Sequence, residues 1–306
     1  MTSSTPSTPS TTTTQEDLNR STFVAFLDRV NTGHFDDLDE LVHSDYAGHI
    51  PFPTPAPGFA GEKMIYKANA QALPDIRLTA DVMIAEGDYV VGLGGVYGTH
   101  TGGDLFGVPA RGTALYWDAI DVARFEDGKI VERWLEADAA SLFRQLGLMP
   151  GSTETLELPV APTGTGAPDS TPEQNKATMR RFIEEVWNQG QLEVADEIFH
   201  PQATSPSARQ LPRGGGGVKL IAQMFRSAFP DYHMTIDFMV AEGNWVCAHF
   251  TQSGTQQGEL MGLPASGKRA KWTELGILRF EGGVVVESWY QANMLSLMSQ
   301  LGVQPT

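Results

Sequence analysis

The side chains of this 306-residue chain best equipped to move protons are a few carboxyl, imidazole and phenol groups set in strand-like or turn-like stretches. Asp121 lies in Tyr116-Trp117-Asp118-Ala119-Ile120-Asp121-Val122, where alternation puts it on one face with Trp117 and Ala119 and turns Asp118 the other way. A carboxyl in an apolar pocket beside an indole has a raised pKa and exchanges protons with a carbon acid or enolate near neutral pH. The competing reading is a carboxylate paired with a neighbouring arginine on a solvated face. His100, in the turn-rich Gly98-Thr99-His100-Thr101-Gly102, is placed to orient a carbonyl or share a proton with Asp121, unless it only satisfies loop backbone groups. Glu274 shares a strand face with Trp272, and Tyr290 carries a hydroxyl within reach of the same region. Glu136 and Asp138 follow Trp134, and Asp138 also reads as the cap of a helix over Ala139 to Leu146. His49 opens a stiff proline-rich segment, through Pro57, that could roof a pocket.

Other chemistries find no support. His233 and His249 lack partners at metal-ligand spacing, and no zinc, haem or iron-sulfur pattern occurs, so no metal or cofactor is expected. The glycine clusters at 92–95 and 214–217 have neither Walker nor Rossmann spacing, and no Gly-x-Ser-x-Gly elbow is present. Cys247 sits in a strand pattern and reads as core.

The elements that must position these groups follow from hydrophobic period. Phe23, Phe26, Leu27 and Val30, and again Met179, Phe182, Ile183 and Val186, mark amphipathic helices, each behind a threonine cap at Thr14 and Thr171. Short second helices are expected near 35–42 and 192–199, and third helices near 63–73 and 218–228. The period then falls to two. Four strands, at 76–85, 89–98, 113–125 and 131–135, predict a curved antiparallel sheet, with the last two joined by a hairpin turn at Glu126-Asp127-Gly128-Lys129.

The pattern occurs twice. Asp39-Glu40-Leu41-Val42-His43 matches Asp196-Glu197-Ile198-Phe199-His200, Leu73-Pro74-Asp75 matches Phe229-Pro230-Asp231, Arg124-Phe125-Glu126 matches Arg279-Phe280-Glu281, and Gln145-Leu146-Gly147 matches Gln300-Leu301-Gly302. So long a period means a duplicated domain. The expected division is a disordered tail over 1–14, domains over 15–149 and 171–306, and a Pro/Gly/Thr-rich linker over 150–170. With 21 Lys+Arg against 37 Asp+Glu, a net charge of -16 makes nucleic acid and anionic membrane poor partners. The uncharged, non-apolar start and the single cysteine point to the cytoplasm.

The series GTHTGGDLFGVPARG, DVARFEDGKIVERW and RQLG, repeated more loosely over 254–267 and 279–302, resembles the SnoaL-like polyketide cyclase family. The resemblance implies α+β cone folds of the nuclear transport factor 2 superfamily, each a bent sheet around a pocket closed by three helices. Family members often dimerise through the outer sheet face, so the tandem is expected to form an internal pseudo-dimer, with further homo-oligomers possible. The family's pocket positions before the turn fall at Ala119 and Asp121 and at Glu274 and Gly276. Its catalytic aspartate after the turn falls at Leu135 and Tyr290, so neither repeat has it.

These readings converge on a cofactor-independent acid/base enzyme that cyclises or isomerises a hydrophobic small molecule in natural-product biosynthesis. The first repeat is the expected catalytic pocket, with Asp121 as base or acid, His100 as partner, and Trp117, Trp134, His49 and Glu136 around the substrate. Glu274 and Tyr290 are the equivalent pair if the second pocket works, with Trp272, Trp289 and Gln256 about it. Epoxide opening would need two pocket carboxyls, and a binding or scaffold protein is the non-enzymatic alternative.

Overall fold

The computed structural model describes residues 13–149 and 169–303, so most of the expected tail and of the linker lies outside the described residues. In the first domain helix α1 (Gln15–Asn31) is followed by a 3-10 turn (Asp37–Glu40), strand β1 (Val42–His49) and helix α2 (Gly58–Ala72). Strands β2 (Arg77–Leu78), β3 (Val82–Glu86), β4 (Tyr89–His100), β5 (Thr113–Glu126) and β6 (Lys129–Ala137) and helix α3 (Ala139–Leu146) complete it.

The second domain repeats the plan. Helix α4 (Pro172–Arg181) runs on as a π-helix (Phe182–Asn188), followed by a 3-10 turn (Leu192–Val194), helix α5 (Ala195–Ile198) and strand β7 (Phe199–Thr204). After a further 3-10 turn (Pro206–Ala208) come helix α6 (Gly215–Ala228), strands β8 (His233–Glu242), β9 (Trp245–Thr255), β10 (Arg269–Glu281) and β11 (Val284–Ala292), and helix α7 (Met294–Leu301).

Both caps form as the sequence dictates. The Thr14 and Thr171 hydroxyls accept from the N–H groups of Asp17 and Gln174, whose side chains accept in return from the Thr14 and Thr171 N–H groups. The periodic faces, Phe23, Phe26 and Val30 in α1 and Met179, Phe182, Ile183 and Val186 after them in the second domain, are buried against the sheets. The hairpin turn needs left-handed backbone at Asp127 and Gly128, and its second-domain twin at Gly282 and Gly283.

Three expectations need correction. The sheets, ordered β1-β6-β5-β4-β2 with β3 also on β4, and β7-β11-β10-β9-β8, are mixed, because β1 lies parallel to β6 and β7 parallel to β11. These first strands follow regions expected to be helical. β1 is mostly exposed and does not alternate, so it gives no period-two signal, and the short helices shrink to a 3-10 turn and to α5 with its preceding turn. The expected strand 76–85 is broken into β2 and β3.

The outer faces of the two sheets pack on each other, making the internal pseudo-dimer. Ile84, Val91, Ile120 and Val122 meet Val240, Cys247, Leu275, Ile277 and Trp289 in one buried cluster. Edge contacts repeat across the pseudo-twofold: the Ala85 N–H donates to Glu242 Oε2 (2.9 Å) and the Ala241 N–H to Glu86 Oε2 (2.8 Å), while Arg20 pairs with Glu242 and Lys176 with Glu86 (2.6 Å). Buried edge N–H groups thus find acceptors across the seam. The inner face of each sheet is left to its own helices, and between them lie the cavities.

Candidate active site

The two domains enclose unequal spaces. The first-domain cavity is about 80 Å³ and the second about 330 Å³. Four positions contribute to the difference. In the first domain Tyr46, Glu62, Tyr66 and Arg133 fill the inner space, and Ala203, Val218, Ala222 and Ser288 stand at the equivalent places in the second.

Those filling groups form a closed ion cluster. Arg133, 1% exposed, donates from Nε and Nη2 to the two oxygens of Asp121 (2.8 and 2.7 Å), and from Nη1 to Glu62 Oε2 (2.9 Å) and the Tyr66 hydroxyl (2.5 Å). Its guanidinium lies over the Phe26 ring, with 5.2 Å to the centroid. Tyr46 donates to Glu62 Oε1 (2.6 Å). Burial, only partly offset by Arg133, lifts the Asp121 carboxyl above its usual range. Asp121 does face the first cavity with Trp117 and Ala119, as alternation predicts. The arginine of the competing reading is present too, but buried, and both carboxylate oxygens are committed to it. His100 is not its partner: β4 pairs Gly92 with Asp121 and His100 with Thr113, eight residues along, roughly 26 Å of strand. Instead His100 is buried with Nε2 2.9 Å from the Gly103 carbonyl oxygen, so it holds its own loop.

The second cavity offers freer chemistry. Glu274 on β10 and Tyr290 on β11 both line it. Tyr290 lies opposite Gly276, where an added Cβ would come within 2.9 Å of the phenol ring, so glycine leaves the ring its place beside Glu274. Glu274 Oε2 accepts from Gln252 Nε2 (2.8 Å), and Gln252 Oε1 accepts from the Tyr232 hydroxyl (2.5 Å). That fixes the carboxyl with neutral partners only, and burial pushes its pKa up to about 7. Among the described residues the buried Tyr290 hydroxyl has no hydrogen-bond partner. Burial, and then the neighbouring Glu274 charge, raise its pKa, keeping it a neutral donor. The remaining wall is largely apolar, including Phe182, Trp187, Phe199, Ile221 and Met224.

Several sequence candidates stand elsewhere. Trp134 and Trp289 point out of the cones: Trp134 packs with Tyr89 and Phe238, and Trp289 with Trp245 and the interdomain cluster. Alternation predicts this, since Trp134 must oppose Arg133 and Leu135. His49 is half-exposed, stacks on Trp134 and pairs with Glu132 (3.0 Å), while its neighbours Ile50 and Phe52 line the first cavity and Pro51 lines the second. Glu136 lies in the domain seam, accepting from Thr273 Oγ1 (2.5 Å), and touches neither cavity. Trp272 is core against Phe225, Phe229 and Tyr232. Gln256, equivalent to His100, ties Ser266 and Leu263 of its own loop. Asp138 caps α3, accepting from the Ser141 N–H (2.8 Å), and also lines the second cavity. Arg133, Glu62, Tyr66, Gln252 and Tyr232 were not singled out. Their only signal is polar identity at inward positions of strands and helices, which the sequence alone does not pair. Among the described residues no group of three or more His, Cys, Asp or Glu could hold a metal ion, and no helix is long and apolar enough to cross a membrane.

The model of the SnoaL-like polyketide cyclase family matches residues 21–146 and again 177–301. The chain belongs to this family, as a tandem of two of its domains. Among solved structures, TsrD from Streptomyces laurentii is 29% identical over 44% of this chain and 100% of its own, with a TM-score of 0.42. AclR, a putative hydroxylase from Streptomyces galilaeus, is 28% identical over 44% of this chain and 85% of its own, with a TM-score of 0.41. IdmH, a putative polyketide cyclase from Streptomyces antibioticus, is 29% identical over 42% of this chain and 99% of its own, with a TM-score of 0.38. No curated protein matches the chain. Of the family's post-turn aspartate positions, Leu135 lines the first cavity and Tyr290 the second.

Proposed function

We propose that the chain is an acid/base enzyme acting on a hydrophobic small molecule of polyketide type, by cyclisation or isomerisation, and that the second domain carries the reaction. The observation that supports this is the Glu274 carboxyl, with a pKa near 7, in the wall of an apolar cavity of about 330 Å³. A base poised there is half ionised at neutral pH, which suits removal of a proton from carbon next to a carbonyl. Glu274 takes that proton, and the Tyr290 hydroxyl donates to the carbonyl oxygen as it becomes an enolate oxygen. In cyclisation the enolate carbon then bonds to a second carbonyl carbon, whose oxygen takes up the proton that Glu274 removed, which restores the base. In isomerisation Glu274 returns the proton to a different carbon. The first domain, its inner space closed by Arg133 and its partners, serves as scaffold.

The test is turnover of polyketone substrates by wild type and Glu274→Gln. The variant keeps shape and Gln252 contact but has no base, and the rate is expected to fall by about 10²-fold or more. An unchanged rate overturns the assignment. The lack of the family aspartate in both repeats favours one other reading, a binding protein; it is supported if wild type binds such substrates and releases them unaltered.

A further inference from the structure

The larger cavity is not built by the second domain alone. Pro51 and the start of α3, with Asp138, Ala139 and Ala140, close part of its wall from the first domain, and one turn further along α3 so does Arg144. The converse does not hold, for every residue lining the first-domain cavity belongs to the first domain.

Among the described residues three charged ones line the larger cavity: Asp138, Glu274 and Arg144. Asp138 is occupied as the cap of α3, and Glu274 is held by Gln252. Arg144 is half-buried; its carbonyl accepts from the Gly147 N–H at the end of α3, but among the described residues no hydrogen bond or ion pair engages its guanidinium. Among the described residues Arg77, Arg111 and Arg180 also lack a side-chain partner, but they are exposed, whereas Arg20, Arg29, Arg124, Arg133 and Arg279 pair with carboxylates. The repeat equivalent of Arg144 is Ser299, so the cation is not a feature that both copies of the fold require. A half-buried arginine with unused side-chain donors, beside a largely apolar space, matches a planar anion that presents two oxygens.

We infer that Arg144, supplied by the first domain, is the anion anchor of the second-domain cavity, and that the ligand is an amphipathic acid: an apolar ring or chain bearing a carboxylate. The carboxylate sits on Arg144 at the domain boundary, and the apolar body extends between Phe182, Trp187 and Met224 toward Glu274. This rests on the second cavity being the ligand site, as proposed above. It also gives the tandem arrangement a function, since a single domain holds the base without the anchor.

Calorimetric titration of the full chain with 2-naphthoate and with methyl 2-naphthoate tests it. Wild type is expected to bind the acid about tenfold more tightly than the ester, the worth of a charge-assisted hydrogen bond. Arg144→Gln is expected to bind both with the affinity of the ester, and Arg144→Lys to keep part of the preference. An acid preference that is absent from wild type, or that survives unchanged in Arg144→Gln, overturns the inference while the cavity reading stands. The ester reports on that reading separately: Ala208→Trp, which fills the cavity wall, is expected to abolish its binding, and ester binding that persists there puts the ligand elsewhere and overturns both. Turnover lost in Glu274→Gln with the acid preference intact supports each part independently.

Discussion

Asp121 and Glu274 occupy neighbouring inward positions on equivalent strands, yet their surroundings give them opposite roles. Two oxygens of Asp121 meet two nitrogens of Arg133, whereas Glu274 meets only a neutral amide. A carboxylate whose two oxygens are both held by an arginine has no oxygen free to take a proton from substrate, whereas Glu274 has one oxygen held by a neutral amide and the other open. If Glu274 is the base, activity requires its ionised form, so kcat is expected to rise as pH passes upward through about 7 and then level off. A profile of kcat against pH from 5 to 9 checks this, and a curve with no inflection near 7 removes Glu274 from the role. Alternation in the sequence was enough to turn both carboxyls inward. It could not separate them, because the deciding group for Asp121 is Arg133 on the next strand, and a lone sequence does not fix cross-strand register.

At the scale of elements, the Arg133 cluster is a three-way clamp. Glu62 comes from α2, Asp121 from β5 and Arg133 from β6, so one guanidinium holds a helix against two strands in the first domain. Replacing it with the apolar Arg133→Met leaves two carboxylates facing each other without a cation, and such a loss is expected to cost roughly 3–5 kcal/mol. Urea unfolding should show this as a lower midpoint for the first domain's transition, with part of the loss recovered at acid pH where the carboxyls take up protons. A midpoint equal to wild type would mean that the cluster only fills space. The helices that carry these groups were legible because their caps and apolar faces follow from spacing. β1 and β7 were not, because a half-exposed edge strand lacks the alternation that marks the others. The outward direction of Trp134 and Trp289 was available from period two, and large aromatic residues on an outer face are the mark of the sheet-to-sheet seam.

Across the whole molecule that seam and the larger cavity are mechanically adjacent. Glu136 in the seam precedes Ala137 and Asp138 of the cavity wall, and its partner Thr273 precedes Glu274. One oxygen of Glu136 accepts from Thr273 and the other, Oε2, is buried with no hydrogen-bond partner among the described residues. Burial first, and then the charge of Glu274, push the Glu136 pKa up to about 8 from an ordinary value of 4.5. Between those values the folded chain holds a proton that the unfolded chain has released, so stability falls as pH rises through this window and is level above it. Glu274 adds a slope of the same sign, ending near pH 7. Glu136→Gln keeps an acceptor for Thr273 but cannot ionise, so its melting temperature is expected to fall less than that of wild type from pH 5 to 8, leaving the variant the more stable at pH 8. Scanning calorimetry at fixed ionic strength measures both slopes. Equal slopes would mean that water reaches the seam and Glu136 titrates as an ordinary surface carboxyl. A difference confined to the interval from about 4.5 to 8 would make the packing of the two domains, and with it the wall that Asp138 and Arg144 lend to the second cavity, sensitive to the same pH range in which Glu274 becomes a base.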